Sequence, residues 1–201
     1  MVIKPALDFN HSHFIWELSE IDIPDNLISL IDNGNFERLN DSLDKDFNKN
    51  SPARYKFESM PSPEEHNAYV RKIFNRIIPS TILTEDYDMS RVWPFHFRKK
   101  VAEANPPMGG DIIKDKPGFS MSVHLDNNVV LGTALLNLKD NPNSYTEYYS
   151  DFSGENCIYR GPSKKGTGTF HYNSPYLFHN GFNKGTEDRL IAYSSLPNIG
   201  F

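Results

Sequence analysis

The chain has a single cysteine, Cys157, among its 201 residues. No intrachain disulfide can form, so the fold has no need of an oxidising compartment. Cys157 stands in the stretch Asn156-Cys157-Ile158-Tyr159, where a small core residue is expected rather than a nucleophile. No apolar run reaches the length of a membrane span. No apolar segment follows a basic start, so a signal peptide is not expected and the chain reads as a soluble, cytoplasmic protein without a membrane partner. Charge of one sign is also missing. The 21 basic and 26 acidic side chains give a net charge of -5 and are mixed along the sequence, which argues against a dedicated nucleic-acid face. The longest basic run, Arg98-Lys99-Lys100, reads as a solvated edge. There is no internal repeat. Apolar residues make up 38% of the chain and aromatics 13%, enough to build the core of one domain and to exclude general disorder.

The character of the chain changes near residue 90. Pro24-Asp25 opens an expected helix carrying Leu27, Ile28, Leu30 and Ile31, which Asn33-Gly34 ends. Residues 40–50 have little to bury and read as a loop. Ser62-Pro63-Glu64-Glu65 has a capping serine, a proline at the first helical position and a glutamate three residues after the cap. Tyr69, Ile73, Phe74 and Ile77 follow on one helical face, up to Pro79. Beyond residue 91 the pattern turns to short aromatic or β-branched segments: 119–125, 129–138, 156–160, 167–172, 176–179 and 189–196. Turn formers separate them, among them Asp126-Asn127-Asn128, Asp140-Asn141-Pro142-Asn143, Gly161-Pro162, Asn173-Ser174-Pro175 and Asn183-Lys184-Gly185. Strands at this spacing make a sandwich or barrel. The expected architecture is mainly β with N-terminal helices (α+β). A helical region, 1–90, packs on a jelly-roll core, 91–201, in one compact domain.

Of seven histidines, one stands two residues before an acid, in His124-Leu125-Asp126. On a strand, positions i and i+2 face the same way, so both side chains can reach one ion. The pair alone is close to a chance occurrence, and its bland reading is a strand end with a turn aspartate. Three features accompany it. The pair sits where an aromatic strand meets a polar turn. His179 ends a second aromatic segment, Tyr176-Leu177-Phe178-His179. Arg189 opens the strand Arg189-Leu190-Ile191-Ala192-Tyr193, and an arginine facing a core needs an anion, which its guanidinium can clamp bidentately when that anion is a carboxylate. Two imidazoles and one carboxylate leave three cis positions of an octahedron open, which suits Fe(II) chemistry.

The segments DKPGFSMSVHLDN, GTGTFHYNSPYLFHNG and DRLIAYSSL resemble the Fe(II)/2-oxoglutarate dioxygenases, and within them the prolyl-hydroxylase-like branch, over roughly the C-terminal two-fifths of the chain. The resemblance implies a double-stranded β-helix of the cupin-like, jelly-roll kind. It implies His124, Asp126 and His179 as the catalytic metal triad and Arg189 as the residue holding the far carboxylate of 2-oxoglutarate. It implies Fe(II), 2-oxoglutarate and O2, with ascorbate as an accessory reductant, and hydroxylation of an organic substrate with release of succinate and CO2. Peptidyl proline leads the substrate classes on this analogy, with a free amino acid, another small molecule or a nucleobase left open. The sequence departs from the pattern in two places. Ile191 stands where some branches place a serine, and Asp111-Ile112-Ile113-Lys114 lacks the tyrosine that many prolyl-hydroxylase-like members carry there. Thr133, Asn137 and Tyr193 are therefore candidates for the second contact to the far carboxylate.

His171, in Phe170-His171-Tyr172, competes with His179 for the third ligand position. Its spacing to Arg189 fits the family less well, and a core or pocket histidine is expected. His96, Trp93 and Arg98 could line a substrate pocket without specific support, and His11 and His13 read as surface residues. Two other readings compete: a cupin-like metal barrel or jelly-roll binding module without 2-oxoglutarate chemistry, and an interaction protein in which His124 and Asp126 only close a turn.

Overall fold

The computed structural model describes residues 2–6, 15–39, 54–58, 109–127 and 130–197. Among them are eleven strands and one helix. The strands are β1 (Val2–Pro5), β2 (Ile15–Ser19), β3 (Phe36–Arg38), β4 (Arg54–Phe57), β5 (Gly109–Asp115), β6 (Val130–Asn137), β7 (Ser144–Tyr149), β8 (Cys157–Arg160), β9 (Gly168–Tyr172), β10 (Phe178–Asn183) and β11 (Arg189–Pro197), and the helix is α1 (Asp25–Asp32). They form an eight-stranded sheet in the order β1-β2-β9-β6-β11-β5-β4-β3 and a three-stranded sheet in the order β10-β7-β8. Every strand pairing is antiparallel. Isolated bridges Ser120↔Phe182 and His124↔His179 add residues 120–124 beside β10. From β5 onward the chain therefore alternates between the sheets: large, small, large, small twice, large, small, large. That alternation is the double-stranded β-helix.

The period-2 pattern explains why the large sheet is buried on both faces. Leu190 and Ala192 of β11, Ala134 and Leu136 of β6, Ile112 of β5, Phe170 and Tyr172 of β9, and Trp16 and Leu18 of β2 point outward into one core. Leu27 and Ile31, four residues apart on α1, close that core from outside. Ion pairs from Lys165 to Asp25 and from Lys139 to Asp32 tie α1 to the loops below it. The alternate residues, Arg189, Ile191 and Tyr193 of β11, Thr133 and Leu135 of β6, and Asp111 and Ile113 of β5, line a cavity on the other face. Tyr148 of β7 crosses between the sheets to Thr169 and His171 of β9.

Two expectations need correction. The described N-terminal part is not a helical layer. The helix opened by Pro24-Asp25 forms as expected, but β1 to β4 extend the large sheet on both sides. The physical reason is visible in β2, where Ile15, Trp16 and Leu18 are all buried and need a sheet face on either side, which an amphipathic helix would not supply. The helix expected over 62–79, the loop over 40–50 and the boundary near residue 90 lie outside the described residues. Cys157 is exposed rather than a core residue, because it opens β8, the edge strand of the small sheet.

Candidate metal and anion site

His124 and His179 face each other across the added edge of the small sheet. Each donates its backbone N–H to the other's carbonyl, at 3.0 and 2.9 Å, and their ring centroids are 4.4 Å apart. Asp126 lies two residues past His124, with Oδ1 3.5 Å from Nε2 of His179. One donor atom from each of the three residues falls within 4.8 Å of the other two. The imidazole of His124 hydrogen-bonds through Nδ1 to the carbonyl of Ser122 at 2.8 Å, which leaves Nε2 as its free lone pair. His179 has its Nδ1 buried and without a partner.

The protonation states suit a cation. Burial holds both His124 and His179 below the ordinary imidazole value, and for His124 the neighbouring His179 adds to the effect. Both rings are thus neutral donors at neutral pH. Burial alone would raise the Asp126 carboxyl, but hydrogen bonds from His171 and His179 outweigh it and hold the group well below the usual carboxylate range. One ionised carboxylate and two neutral imidazoles make a donor set with net charge of one negative unit, which fits a divalent first-row metal.

Oδ2 of Asp126 is fully engaged on its other side. It accepts from Thr133 Oγ1 at 2.5 Å and lies 3.2 Å from Nε2 of His171. Thr133 and His171 are direct cross-strand partners on β6 and β9, so the sheet itself sets their spacing. His171 Nδ1 in turn meets Tyr148 Oη at 3.1 Å, and Tyr148 meets Thr169 at 2.6 Å. The Asn173 amide reaches the carbonyls of Asp126, Asn127 and Val130 at 3.0 to 3.1 Å and so pins the backbone that leaves Asp126.

A cavity of about 700 Å³ opens from the three residues; Arg189, Thr146, Arg54, Tyr193 and Ile191 are among those that line it. Arg189 is 3% exposed. Its Nη2 donates to Thr146 Oγ1 at 3.1 Å, while Nε and Nη1 have no hydrogen-bond partner. Nη1 lies 3.7 Å from Asp115 Oδ2. Burial pushes the guanidinium down to about 10, so it stays cationic at neutral pH. A buried cation with two idle donor nitrogens beside a cavity has the chemistry to take an anion.

No family model matches the chain, and no curated protein matches it in sequence. Solved structures do match in shape. A prolyl-4-hydroxylase from Pseudomonas putida superposes with a TM-score of 0.61 over 96% of this chain and 97% of its own, at 9% identity. A prolyl hydroxylase from Trichoplax adhaerens, solved with a hypoxia inducible factor peptide fragment, gives 0.60 over 95% and 86%, at 10% identity. The chain has the fold of the 2-oxoglutarate–Fe(II) oxygenases. A 2OG-Fe(II) oxygenase from Burkholderia pseudomallei also matches, at a TM-score of 0.55 over 85% of this chain and 76% of its own, with 8% identity. In this oxygenase fold the jelly-roll core expected from the sequence is present.

The four residues singled out for iron and cosubstrate, His124, Asp126, His179 and Arg189, meet at one cavity. The three residues offered for the second carboxylate contact separate. Tyr193 lines the cavity, and burial followed by the nearby Asp126 charge raises its hydroxyl pKa, so it remains a donor. Thr133 also lines the cavity but spends its hydroxyl on Asp126. Asn137 is not among the lining residues, and its amide is committed to the carbonyls of Pro162 and Thr167. Sequence reasoning missed Thr146, which touches Arg189 directly, and Arg54. His171 stands beside Asp126 but outside the three-residue cluster. His11, His13, His66, His96, Trp93 and Arg98 lie outside the described residues. No helix among the described residues is long and apolar enough to cross a membrane.

Proposed function

We propose that this chain is an Fe(II)- and 2-oxoglutarate-dependent oxygenase that hydroxylates an organic substrate. The observation that carries the reading is the pairing, in one cavity, of a His-Asp-His cluster with a buried, half-satisfied arginine. His124, Asp126 and His179 would hold the iron. When bound there, iron with O2 supplies the redox chemistry, spending 2-oxoglutarate as succinate and CO2 while one oxygen goes to the substrate. The protein's own part is positioning and exclusion of water. Arg189 would take the far carboxylate through Nε and Nη1, with Thr146 fixing the guanidinium and offering its hydroxyl as the second contact. Ile191, Leu135 and Ile113 give the intervening walls an apolar surface. Tyr193 keeps its proton and presents a neutral hydroxyl to the cavity near Asp126.

A metal barrel without cosubstrate would account for the triad but not for a buried arginine with two idle donor nitrogens in the same cavity. That difference is why the oxygenase reading is preferred. Ascorbate would serve as a reductant from outside the chain. Peptidyl proline is the first substrate class to test, since two of the structural neighbours are prolyl hydroxylases. The N-terminal region and the barrel core act as one unit in this reading.

The test begins with anaerobic protein. Fe(II) and 2-oxoglutarate together should give a visible charge-transfer band, and admission of air should give succinate. A protein that binds Fe(II) but shows neither the band nor affinity for 2-oxoglutarate is not an oxygenase of this class.

A further inference from the structure

Arg54, Asp115 and Arg189 stand side by side on three adjacent strands. In the register of the large sheet, Arg54 of β4 is opposite Asp115 of β5, and Asp115 is opposite Arg189 of β11. One carboxylate is thus flanked by two guanidiniums, yet it does not serve them equally. Arg54 takes both oxygens, Nε to Oδ1 at 2.7 Å and Nη2 to Oδ2 at 2.9 Å. Arg189 is left at 3.7 Å, too far for a hydrogen bond. The fork of Arg54 engages both oxygens at once and fixes the carboxylate in that orientation, out of hydrogen-bond reach of Arg189. The Phe119 ring lies under the Arg54 guanidinium, 4.6 Å from its centroid, and holds the fork in that orientation.

Gly181 of β10 completes the arrangement. A methyl group at its Cα would come within 3.2 Å of Arg189 Nη1 and 3.6 Å of Arg54 Nη2. The missing side chain gives the two guanidiniums room to share one end of the cavity. Two cations and one anion are therefore packed there, with a net charge of one positive unit.

We propose that Arg54 is a positioning residue for the cosubstrate: by taking both oxygens of Asp115 it keeps that carboxylate from hydrogen-bonding Arg189, and by its own charge it sets the net charge of that end to match one carboxylate. The inference rests on the function proposed above. In this scheme Asp115 is a switchable counter-ion. Were Arg54 lost, the Asp115 carboxylate would turn to its other neighbour and neutralise Arg189 from within, and the cavity would lose its attraction for an anionic tail.

The experiment is a binding cycle on Mn(II)-loaded protein, with 2-oxoglutarate affinity read by calorimetry and Mn(II) affinity read separately. Arg54→Met should weaken 2-oxoglutarate binding by roughly a hundredfold, the size seen when one member of a close buried charge set is removed. It should leave Mn(II) affinity unchanged. 2-Oxopentanoate, which lacks the far carboxylate, should bind the wild type weakly and Arg54→Met equally weakly. The double variant Arg54→Met/Asp115→Asn restores the single positive charge and should recover most of the lost affinity. If Arg54→Met does not fold, the double variant decides alone, since the charge of that end is then again one positive unit, on Arg189, and it must bind nearly as the wild type does. Wild-type affinity in Arg54→Met overturns the inference, as does a double variant that binds poorly. If the wild type itself does not bind 2-oxoglutarate, the functional reading fails instead, a distinguishable result.

Discussion

The two ends of the cavity solve opposite electrostatic problems with the same sheet. At one end, two neutral rings and a single carboxylate make a donor set with one negative charge. At the other, two guanidiniums flank a single carboxylate that pairs bidentately with one of them, leaving a net positive charge. The metal end is built on backbone pairing between chain segments distant in sequence, with its acid held from behind by Thr133 and His171. The anion end is built on side chains in register across three strands. Each end leaves its key donors idle: Nδ1 of His179 at one, Nε and Nη1 of Arg189 at the other. Buried groups left this way cost stability.

If the ends are independent, variants should damage one and spare the other. Asp126→Ala removes the only charged donor of the cluster and should abolish Fe(II) binding in equilibrium dialysis, while the fold, followed by circular dichroism, survives. Arg189→Met should leave Fe(II) affinity intact and weaken 2-oxoglutarate by about a hundredfold to a thousandfold, as expected for losing a buried charge-assisted pair. Equal loss of metal and cosubstrate in either variant would break the comparison. Smaller effects should come from behind Asp126. His171→Leu and Thr133→Val each remove a hydrogen-bond partner from Oδ2, and metal affinity should fall by about 10- to 100-fold without change in the cosubstrate preference.

The gentlest probe is pH, applied to metal-free protein. The folded chain holds His124 and His179 below their ordinary value near 6.5. As pH falls below that value, the unfolded chain takes up protons that the folded chain refuses, so stability should decline. Asp126, held low in the folded state, contributes stability above its unfolded value and loses it at more acid pH, adding to the same trend. Thermal melts between pH 7.5 and 5.5 should show a falling midpoint in the wild type and a flatter profile in His179→Leu. An unchanged slope in that variant would show that other groups govern the acid limb.

The metal end was readable in sequence because its signal is local. His124 and Asp126 are two apart, and His179 and Arg189 mark the end and the start of aromatic or β-branched segments. The strands β6, β8, β9 and β11 were readable for the same reason. What stayed hidden depends on register. Arg54 meets Asp115 across 61 positions and His171 meets Asp126 across 45, and no periodicity within either segment announces the partner. Thr146 sits in β7, a strand whose polar alternation, Ser144-Tyr145-Thr146-Glu147, looks like loop until its small hydroxyls are seen to be buried. The short strands β3 and β4 gave no helical or strand pattern strong enough to place them, because their residues are mostly half-buried at the end of the sheet.

The mutual backbone pairing of His124 and His179 has a mechanical corollary. Any cation seated between these rings staples the segment before the Asp126 turn to β10, two stretches far apart along the chain. Such a staple closes a long loop and can be removed by a chelator, unlike a disulfide. Loading and release of the ion would then tighten and loosen one wall of the cavity, so the rigidity of that wall would become a property of metal supply.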